Sequence, residues 1–298
     1  MTTLGTVRRA CIDIGSNTTR LLVAECEPGQ LLEVHQERAF TRIGRALQPD
    51  GTILPEKITE IADVVATQAR GAAELGCIEI HAVATAAVRK AANRDVLVAA
   101  IAAACGVHVR VLTGTEEATL AFLGAAGMME HRPSGTLGVV DVGGGSSELV
   151  LGTPDGGVTW CESFAVGSGD LADSHLRIEQ PSQEALDRAR AHVADALAAF
   201  ETPTPSEAVA VGGSATSLRR LAGSVLDERA FARAFELLRT QPAMVIGRRF
   251  ALDIERVRLL PAALVILESA SRAFGVPLQV GAGGLREGVL LEAAANAG

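Results

Sequence analysis

Two short segments of the chain place an aspartate two residues before a glycine, at the end of an apolar run. The first segment, CIDIGSNTTRLLV, contains Asp13 and Gly15, and the second, VVDVGGGSSELVL, contains Asp141 and Gly143. Glycine lets the backbone bend tightly, so that successive amides face an anion, and an aspartate at a strand end can hold Mg²⁺. Either turn alone fits an ordinary β-hairpin equally well, but two matching turns favour phosphate chemistry.

The two segments also align as an internal repeat. Arg20 and Glu148 both lie seven residues after the aspartate, and an apolar strand-like run follows in each case. Short donors occupy both turns: Ser16, Asn17, Thr18 and Thr19 in the first, and Ser146 and Ser147 in the second. The repeat predicts two similar lobes whose turns face a shared cleft.

Two further glycine-rich junctions connect an apolar run to a helix. In AVAVGGSATSLRRLAG, Gly213 and Ser214 open the helix, and helix N-termini attract phosphate. The alternative interpretation is a plain strand-to-helix connection with Ser214 as the N-cap. The other junction, QVGAGGLREGVLLEAA, could simply join the lobes through close backbone packing.

A pair of acids in TGTEEATLAF is the candidate for proton transfer. Glu116 and Glu117 fall in the first turn of a predicted helix, with Thr115 as its expected cap. One interpretation is compensation of the helix dipole, which favours acids there. The other is a general base that deprotonates a water near a metal-bound phosphate.

Arginines are the expected charge partners of phosphate. Arg20 lies in the first turn, and Arg89 follows a strand in HAVATAAVRKAANRD. Arg256 and Arg258 precede an expected Pro-started helix in ERVRLLPAALVIL. Any one of them could equally be a solvated surface residue.

The elements that position these residues alternate between strands and helices, which predicts an α/β fold. Strands are expected at 78–84 and 107–113, and helices at 55–75, from Asn93 or Asp95 to Ala104, and at 116–128. The segment HRPSG at 131–135 is the best linker. The second half then repeats the plan, with a helix near 182–200.

Composition excludes several classes of protein. The 298 residues carry a net charge of −8 and only 3% aromatic residues, which argues against a DNA- or RNA-binding surface. No apolar run reaches the roughly 18 residues needed for a membrane span, and the N-terminus lacks the apolar region of a signal peptide. We therefore expect a cytoplasmic protein.

Taken in order, seven segments resemble the exopolyphosphatase / guanosine pentaphosphate phosphohydrolase family: DIGSNTTRLLV, VATAAVRKAAN, TGTEEATLAFLG, VVDVGGGSSELV, VGGSATSL, ERVRLLPAALVIL and GGLREGVL. The resemblance runs from about residue 8 to 292. The pairing of T-G-x-E-E-A with D-x-G-G-G-S-x-E is its most specific part. It implies two ribonuclease H-like α/β lobes of the actin, sugar kinase and heat-shock chaperone superfamily, with a cleft between them.

The resemblance also implies an activity and assigns roles. It implies Mg²⁺-dependent hydrolysis of a terminal phosphate, from linear polyphosphate or from the 5′ end of pppGpp; Mn²⁺ would also suit the hard oxygen ligands. Glu117 takes the position of the catalytic base and Glu148 that of the second essential acid, while Asp141 and Glu148 form the metal site. With the candidates above, the predicted phosphate-binding residues are Gly15, Ser16, Asn17, Arg20, Arg89, Gly143, Gly144, Gly145, Ser146, Ser147, Gly213, Ser214 and Arg256.

These expectations fix a domain plan and leave rival functions open. One lobe spans 1–129 and the other 130–298, and the final helix, 285–298, could pack back on the first. Longer family members carry additional helical domains, so we expect short polyphosphate or a nucleotide as substrate, and a homodimer. The rivals are a pppGpp 5′-phosphohydrolase, a kinase of the same superfamily, and a non-catalytic alarmone or polyphosphate sensor.

Overall fold

The computed structural model describes residues 7–27 and 29–297 of the chain. Its strands are β1 (Val7–Ile14), β2 (Thr19–Glu27), β3 (Gln30–Ala39), β4 (Glu79–Ala84), β5 (Val109–Val111), β6 (Leu137–Val142), β7 (Ser147–Thr153), β8 (Gly157–Phe164), β9 (Glu207–Val211), β10 (Val225–Leu226) and β11 (Leu278–Val280). Its helices are α1 (Ile43–Ala46), α2 (Pro55–Glu74), α3 (Ala86–Lys90), α4 (Arg94–Cys105), α5 (Gly114–Gly127), α6 (Ser168–His175), α7 (Gln183–Leu197), α8 (Gly212–Ala222), α9 (Glu228–Thr240), α10 (Ala243–Phe250), α11 (Ile254–Phe274) and α12 (Leu285–Asn296).

The described residues form two units, each built on one sheet. The first unit runs to Met128 and includes α12, and the second runs from Met129 to Gly284. The first sheet has the order β3-β2-β1-β4-β5, and the second has the order β10-β11-β9-β6-β7-β8. In the first sheet two antiparallel pairings are followed by two parallel ones; the second sheet has the same arrangement from β8 to β11, with β10 added antiparallel at its edge. This repeated plan is the ribonuclease H-like α/β fold, so the predicted fold class is confirmed.

Helices cover both faces of the first sheet. Side chains of β1, β2 and β4 pack on one face with those of α2 and α4, and on the other face with those of α5 and α12. Helix α2 begins at Pro55, as expected, and buries Ile58, Ile61 and Val65 at helical spacing. A central strand that is buried on both faces of a sheet has a nearly continuous apolar sequence. Strand β1 (VRRACIDI) shows this in the residues that follow its two arginines.

Helix α12 approaches α5 closely at a glycine. A Cβ added at Gly288 would lie 1.8 Å from the carbonyl oxygen of Leu120. Any larger residue would separate the two helices, so Gly288, the last glycine of the GGLREG segment, allows their close packing in the first unit.

The second unit is organised around α11, where one expectation was wrong. The sequence suggested that Pro261 starts a helix after Arg256 and Arg258, yet α11 begins at Ile254 and contains Pro261 in its interior. Seven Val, Leu and Ile side chains of this helix are buried: Val257, Leu259, Leu260, Leu264, Val265, Ile266 and Leu267. Burial of each contributes about 1.5–3 kcal/mol, which outweighs the roughly 3 kcal/mol cost of an interior proline.

No helix in the described part of the chain is long and apolar enough to span a membrane.

Candidate active site

The two aspartate–glycine turns have the same geometry. Asp13 lies directly opposite Arg20 in the β1–β2 ladder, and Asp141 lies opposite Glu148 in the β6–β7 ladder. The amide of Gly15 donates to the carbonyl of Thr18 at 3.0 Å, and that of Gly143 donates to Ser146 at 3.0 Å. The repeat read from the sequence is therefore a structural repeat, in which each pair of opposed side chains shares one face of its sheet.

In the first turn, two backbone carbonyls accept hydrogen bonds, whereas three backbone amides donate none within the described residues. The carbonyls of Ser16 and Asn17 accept from the amides of Gly44 at 2.8 Å and Arg42 at 2.9 Å. The amides of Ser16, Asn17 and Thr18 donate to no protein acceptor within residues 7–27 and 29–297. Successive free amides in a tight turn form a concavity that suits an anion.

Asp13 is a half-buried carboxylate beside this turn, and its Oδ1 atom is buried. Burial raises the pKa of Asp13, whereas the nearby Arg20 and Arg286 oppose that rise and Glu287 adds to it. Its Oδ1 has no hydrogen-bond partner among the described residues. A buried carboxylate oxygen without a donor is costly to the fold, which indicates a functional role. Arg286 and Glu287 were not identified as site residues from the sequence. Two charged residues on an apolar helix do not by themselves indicate which strand that helix packs against.

Glu117 and Arg89 form an ion pair in the same unit. Arg89 Nη1 lies 2.9 Å from Glu117 Oε2 and also donates to the carbonyl of Leu112 at 2.8 Å. Glu117 is only 6% exposed. The structure thus unites two predicted site residues, and Arg89 orients the carboxylate as well as supplying positive charge.

The neighbouring acid, Glu116, has a different function. Its carboxylate accepts from the amide of Thr113 at 2.8 Å, and the Thr113 hydroxyl accepts from the amide of Glu116, so the two form a capping box. The expected cap, Thr115, was therefore wrong by two residues: α5 begins at Gly114, because Thr113 has Glu116 three residues later. Hydrogen bonds from Arg110 and Thr113 lower the pKa of Glu116 to about 2.

In the second unit, the N-terminus of α6 clamps the glycine turn. The amides of Gly169 and Asp170 donate to the carbonyl of Gly144 at 2.9 and 3.1 Å, and that of Ser168 donates to Gly143 at 2.9 Å. The amides of Gly144 and Ser146 have no protein acceptor in the part of the chain that the structure describes. As in the first turn, the backbone carbonyls accept hydrogen bonds and backbone amides remain available to a ligand.

Gly167 makes this clamp sterically feasible, and sequence reasoning missed it. A Cβ at Gly167 would lie 2.3 Å from the backbone of Gly144 and Gly145. The SFAVGSGD segment has no strand-end acid to draw attention to it. A glycine–small–glycine sequence at a helix start was the available signal.

Asp141 and Glu148 are the predicted metal ligands. They share one face of the β6–β7 ladder, and Glu148 is 1% exposed. The Ser163 hydroxyl of β8 donates to Glu148 Oε1 at 2.9 Å. At Gly212, with φ of +82°, a Cβ would lie 2.6 Å from Asp141 Oδ1, so the start of α8 contacts this carboxylate closely.

Three further predicted residues belong to the first turns of two helices of the second unit. Gly213 and Ser214 belong to the first turn of α8, which begins at Gly212 with Val211 as its N-cap, so Ser214 is not the cap. The chain turns into the helix at Gly212 because that glycine adopts positive φ. Arg256 is buried in the first turn of α11.

The donor set at Asp141 and Glu148 fits a hard divalent cation. Both groups offer carboxylate oxygens, which Mg²⁺ prefers, and Mg²⁺ keeps several waters when one or two carboxylates bind it. Within the described residues no cluster of three or more His, Cys, Asp or Glu could hold a metal. A cation here would therefore complete its shell with water and phosphate oxygens.

Comparison with known proteins places this geometry in context. The model of the Ppx/GppA phosphatase family matches residues 22–297. Exopolyphosphatase 2 of Mycobacterium tuberculosis is 32% identical over an alignment of 231 positions that covers 73% of this chain and 72% of that protein. Exopolyphosphatase 1 of Mycobacterium leprae is 29% identical over an alignment of 304 positions, gaps included, that covers 96% of this chain and 89% of that protein. The crystal structure of the Aquifex aeolicus Ppx/GppA family member superposes with a TM-score of 0.82 at 26% identity, covering 98% of each chain.

Proposed function

We propose that this chain, which belongs to the Ppx/GppA phosphatase family, hydrolyses the terminal phosphoanhydride of linear inorganic polyphosphate with Mg²⁺. The observation that carries the proposal is the repeated turn, in which free amides lie beside a strand-end acid. Such turns bind phosphate without any net positive charge, which suits a chain of net charge −8. The similarity to two mycobacterial exopolyphosphatases supports the same substrate class.

In the proposed reaction, water attacks the terminal phosphorus and the bridging P–O bond breaks. Glu117 accepts the proton of the attacking water at its carboxylate, and Arg89 holds that carboxylate in one orientation. Within each unit the free amides are proposed phosphate donors: those of Ser16 and Asn17 in the first unit, and those of Gly144 and Ser146 in the second. Phosphoryl transfer gains most of its rate from such positioning and charge stabilisation.

Asp141 and Glu148 are proposed to hold Mg²⁺, with Ser163 fixing the Glu148 carboxylate. When bound, the cation would neutralise charge on the phosphate chain. Gly213, Ser214, Arg20 and Arg256 remain proposed phosphate contacts.

A preference for short chains is part of the proposal. The free amides belong to two compact turns, and the acidic balance of the chain provides no long basic track for a polymer. Processive degradation of polyphosphate hundreds of units long would contradict this preference.

Phosphate release tests the proposed function. The purified chain is incubated with Mg²⁺ and, in parallel, short polyphosphate, long polyphosphate, pppGpp and ATP, with Glu117→Gln as the control. We expect release from short polyphosphate that the substitution abolishes. Release from pppGpp alone would identify a pentaphosphate phosphohydrolase.

Two other results would overturn the hydrolase proposal. Transfer of a phosphate from ATP to an added sugar or acid would indicate a kinase. Tight binding of polyphosphate without release, unchanged in Glu117→Gln, would indicate a sensor.

A further inference from the structure

A cavity of about 500 Å³ lies among α7, α9 and α11 of the second unit. None of its lining residues belongs to the candidate active site. Its volume falls in the range of small-molecule sites, about 300–1,000 Å³. Its wall combines two phenylalanines, Phe231 and Phe235, with arginine side chains from all three helices.

One side of the cavity is a rigid ion-pair network. Arg190 Nε donates to Glu268 at 2.8 Å and its Nη1 to Asp187 at 3.1 Å, and its guanidinium carbon lies 4.5 Å from the Phe235 ring centroid. Arg272 donates to the other oxygen of Glu268 at 2.9 Å. Because both oxygens of Glu268 are engaged, this acid has little capacity left to neutralise another arginine.

Arg239, by contrast, has no acidic partner. Its Nη1 donates to the neutral amide oxygen of Gln183 at 3.1 Å, and no carboxylate of the described residues lies within ion-pair distance. Its Nε is buried, and no described residue accepts from it. A guanidinium offers five donors in a fixed fork that matches a carboxylate or phosphate. The guanidinium charge of Arg239 thus has no carboxylate counter-ion among the described residues, and an anionic ligand in the cavity would supply one.

The remaining wall restricts the ligand further. Phe231 and Phe235 offer an apolar surface, whereas Glu228 and Glu236 add two acids to the lining. These acids would repel a long polyanion such as polyphosphate. A ligand with one acidic group and an apolar body satisfies both features.

We propose that this cavity is a binding site for a small organic anion. The acidic group, a carboxylate or a phosphate monoester, pairs with the guanidinium of Arg239. The apolar body packs against Phe231 and Phe235. Arg272, whose side chain is 67% exposed, supplies further donors at the rim.

Fluorine NMR on the full chain tests the site with two probes, 4-fluorophenylacetate and 4-fluorophenyl phosphate. Each probe is titrated against the wild type, Arg239→Gln and the matched control Arg229→Gln. Arg229 is an exposed arginine of the same helix that does not line the cavity. We expect at least one probe to bind the wild type and Arg229→Gln equally, and Arg239→Gln at least tenfold more weakly. The probe that shows this difference identifies the acidic group.

Two results would overturn the proposal: equal binding to all three proteins, or no binding of either probe at about 10 mM. Thermal unfolding without probe checks the fold of Arg239→Gln, whose melting temperature should not fall, because the substitution removes an unsatisfied buried donor. Ala232→Leu provides a second test of the site. The substitution is at an exposed position that lines the cavity, so it should narrow the cavity and weaken the binding of the same probe. Phosphate release without probe should be unchanged in Arg239→Gln, so the proposal stands or falls independently of the hydrolase activity.

Discussion

A methyl group at Gly167 should displace the glycine turn of the second unit and reduce activity about a hundredfold. The backbone of Gly167 has φ −108° and ψ 163°, which any residue can adopt, so the effect is purely steric. The added Cβ would lie 2.3 Å from the backbone of Gly144 and Gly145, whereas ordinary contact begins near 3.4 Å. The turn or α6 must therefore move by about 1.1 Å. A misplacement of about 1 Å costs a catalytic site about 100-fold, or about 2.7 kcal/mol of transition-state stabilisation.

A graded series makes this prediction sharper. At Gly169 the added Cβ would lie 2.9 Å from the carbonyl oxygen of Gly144, so the required movement is only about 0.5 Å. Gly169→Ala should therefore lose less activity than Gly167→Ala. Gly71→Ala in α2 is the matched control, because nothing lies within 4 Å of its new methyl group. It should keep full activity and gain about 0.5–1 kcal/mol of stability.

The assay is kcat/KM for phosphate release, with thermal unfolding measured on each variant. Overpacking should lower the free energy of unfolding of Gly167→Ala by about 1–3 kcal/mol, which leaves the protein folded at 25 °C. Full activity in folded Gly167→Ala would refute the reasoning that the position of this turn controls catalysis. So would a larger loss in Gly169→Ala than in Gly167→Ala.

Three further substitutions test the acids. Asp13→Asn should leave the melting temperature at pH 7 equal or higher, because burial raises the pKa of Asp13 and stability is lost as pH rises from the ordinary pKa of an aspartate through the raised one. A lower melting temperature at pH 7 would contradict this. Glu116→Gln should lower the free energy of unfolding by about 0.5–1 kcal/mol at pH 7, a small effect because the Glu116 side chain is 39% exposed to solvent. Since the pKa of Glu116 is lowered to about 2, the difference in stability between the two proteins should disappear as pH falls from about 4.5 to 2. A difference that persists at pH 2 would refute this prediction. Asp141→Asn should raise the Mg²⁺ concentration for half-maximal activity about tenfold or more, and an unchanged Mg²⁺ titration would remove Asp141 from the metal site.

The sequence predicted the framework of the site because it follows from local patterns. The sequence alignment pairs Asp13 with Asp141 and Arg20 with Glu148. In the structure, Asp13 lies opposite Arg20 and Asp141 lies opposite Glu148, so the two ladders have the same register. Hairpin register is set by turn length and by the alternation of side chains, both of which can be read from a short segment.

The sequence did not predict contacts made by distant segments. Gly167 clamps a turn more than twenty residues earlier, and Ser163 reaches Glu148 only because β8 pairs with β7. The local effect of Pro261 predicts a helix start, whereas the packing that overrides this effect comes from the whole unit. Thr113, rather than Thr115, caps α5 because the capping box depends on which threonine has Glu116 three residues later.

The central claim is that Glu117, and not Glu116, removes the proton from the attacking water. The most direct measurement is kcat/KM for phosphate release from short polyphosphate by Glu117→Gln relative to Glu116→Gln. These neighbouring acids differ in environment: Glu117 is buried against Arg89, and Glu116 caps the helix. The account predicts that Glu117→Gln is slower by about 10²–10⁴-fold, the usual contribution of a general base. Equal activity in the two variants would contradict it.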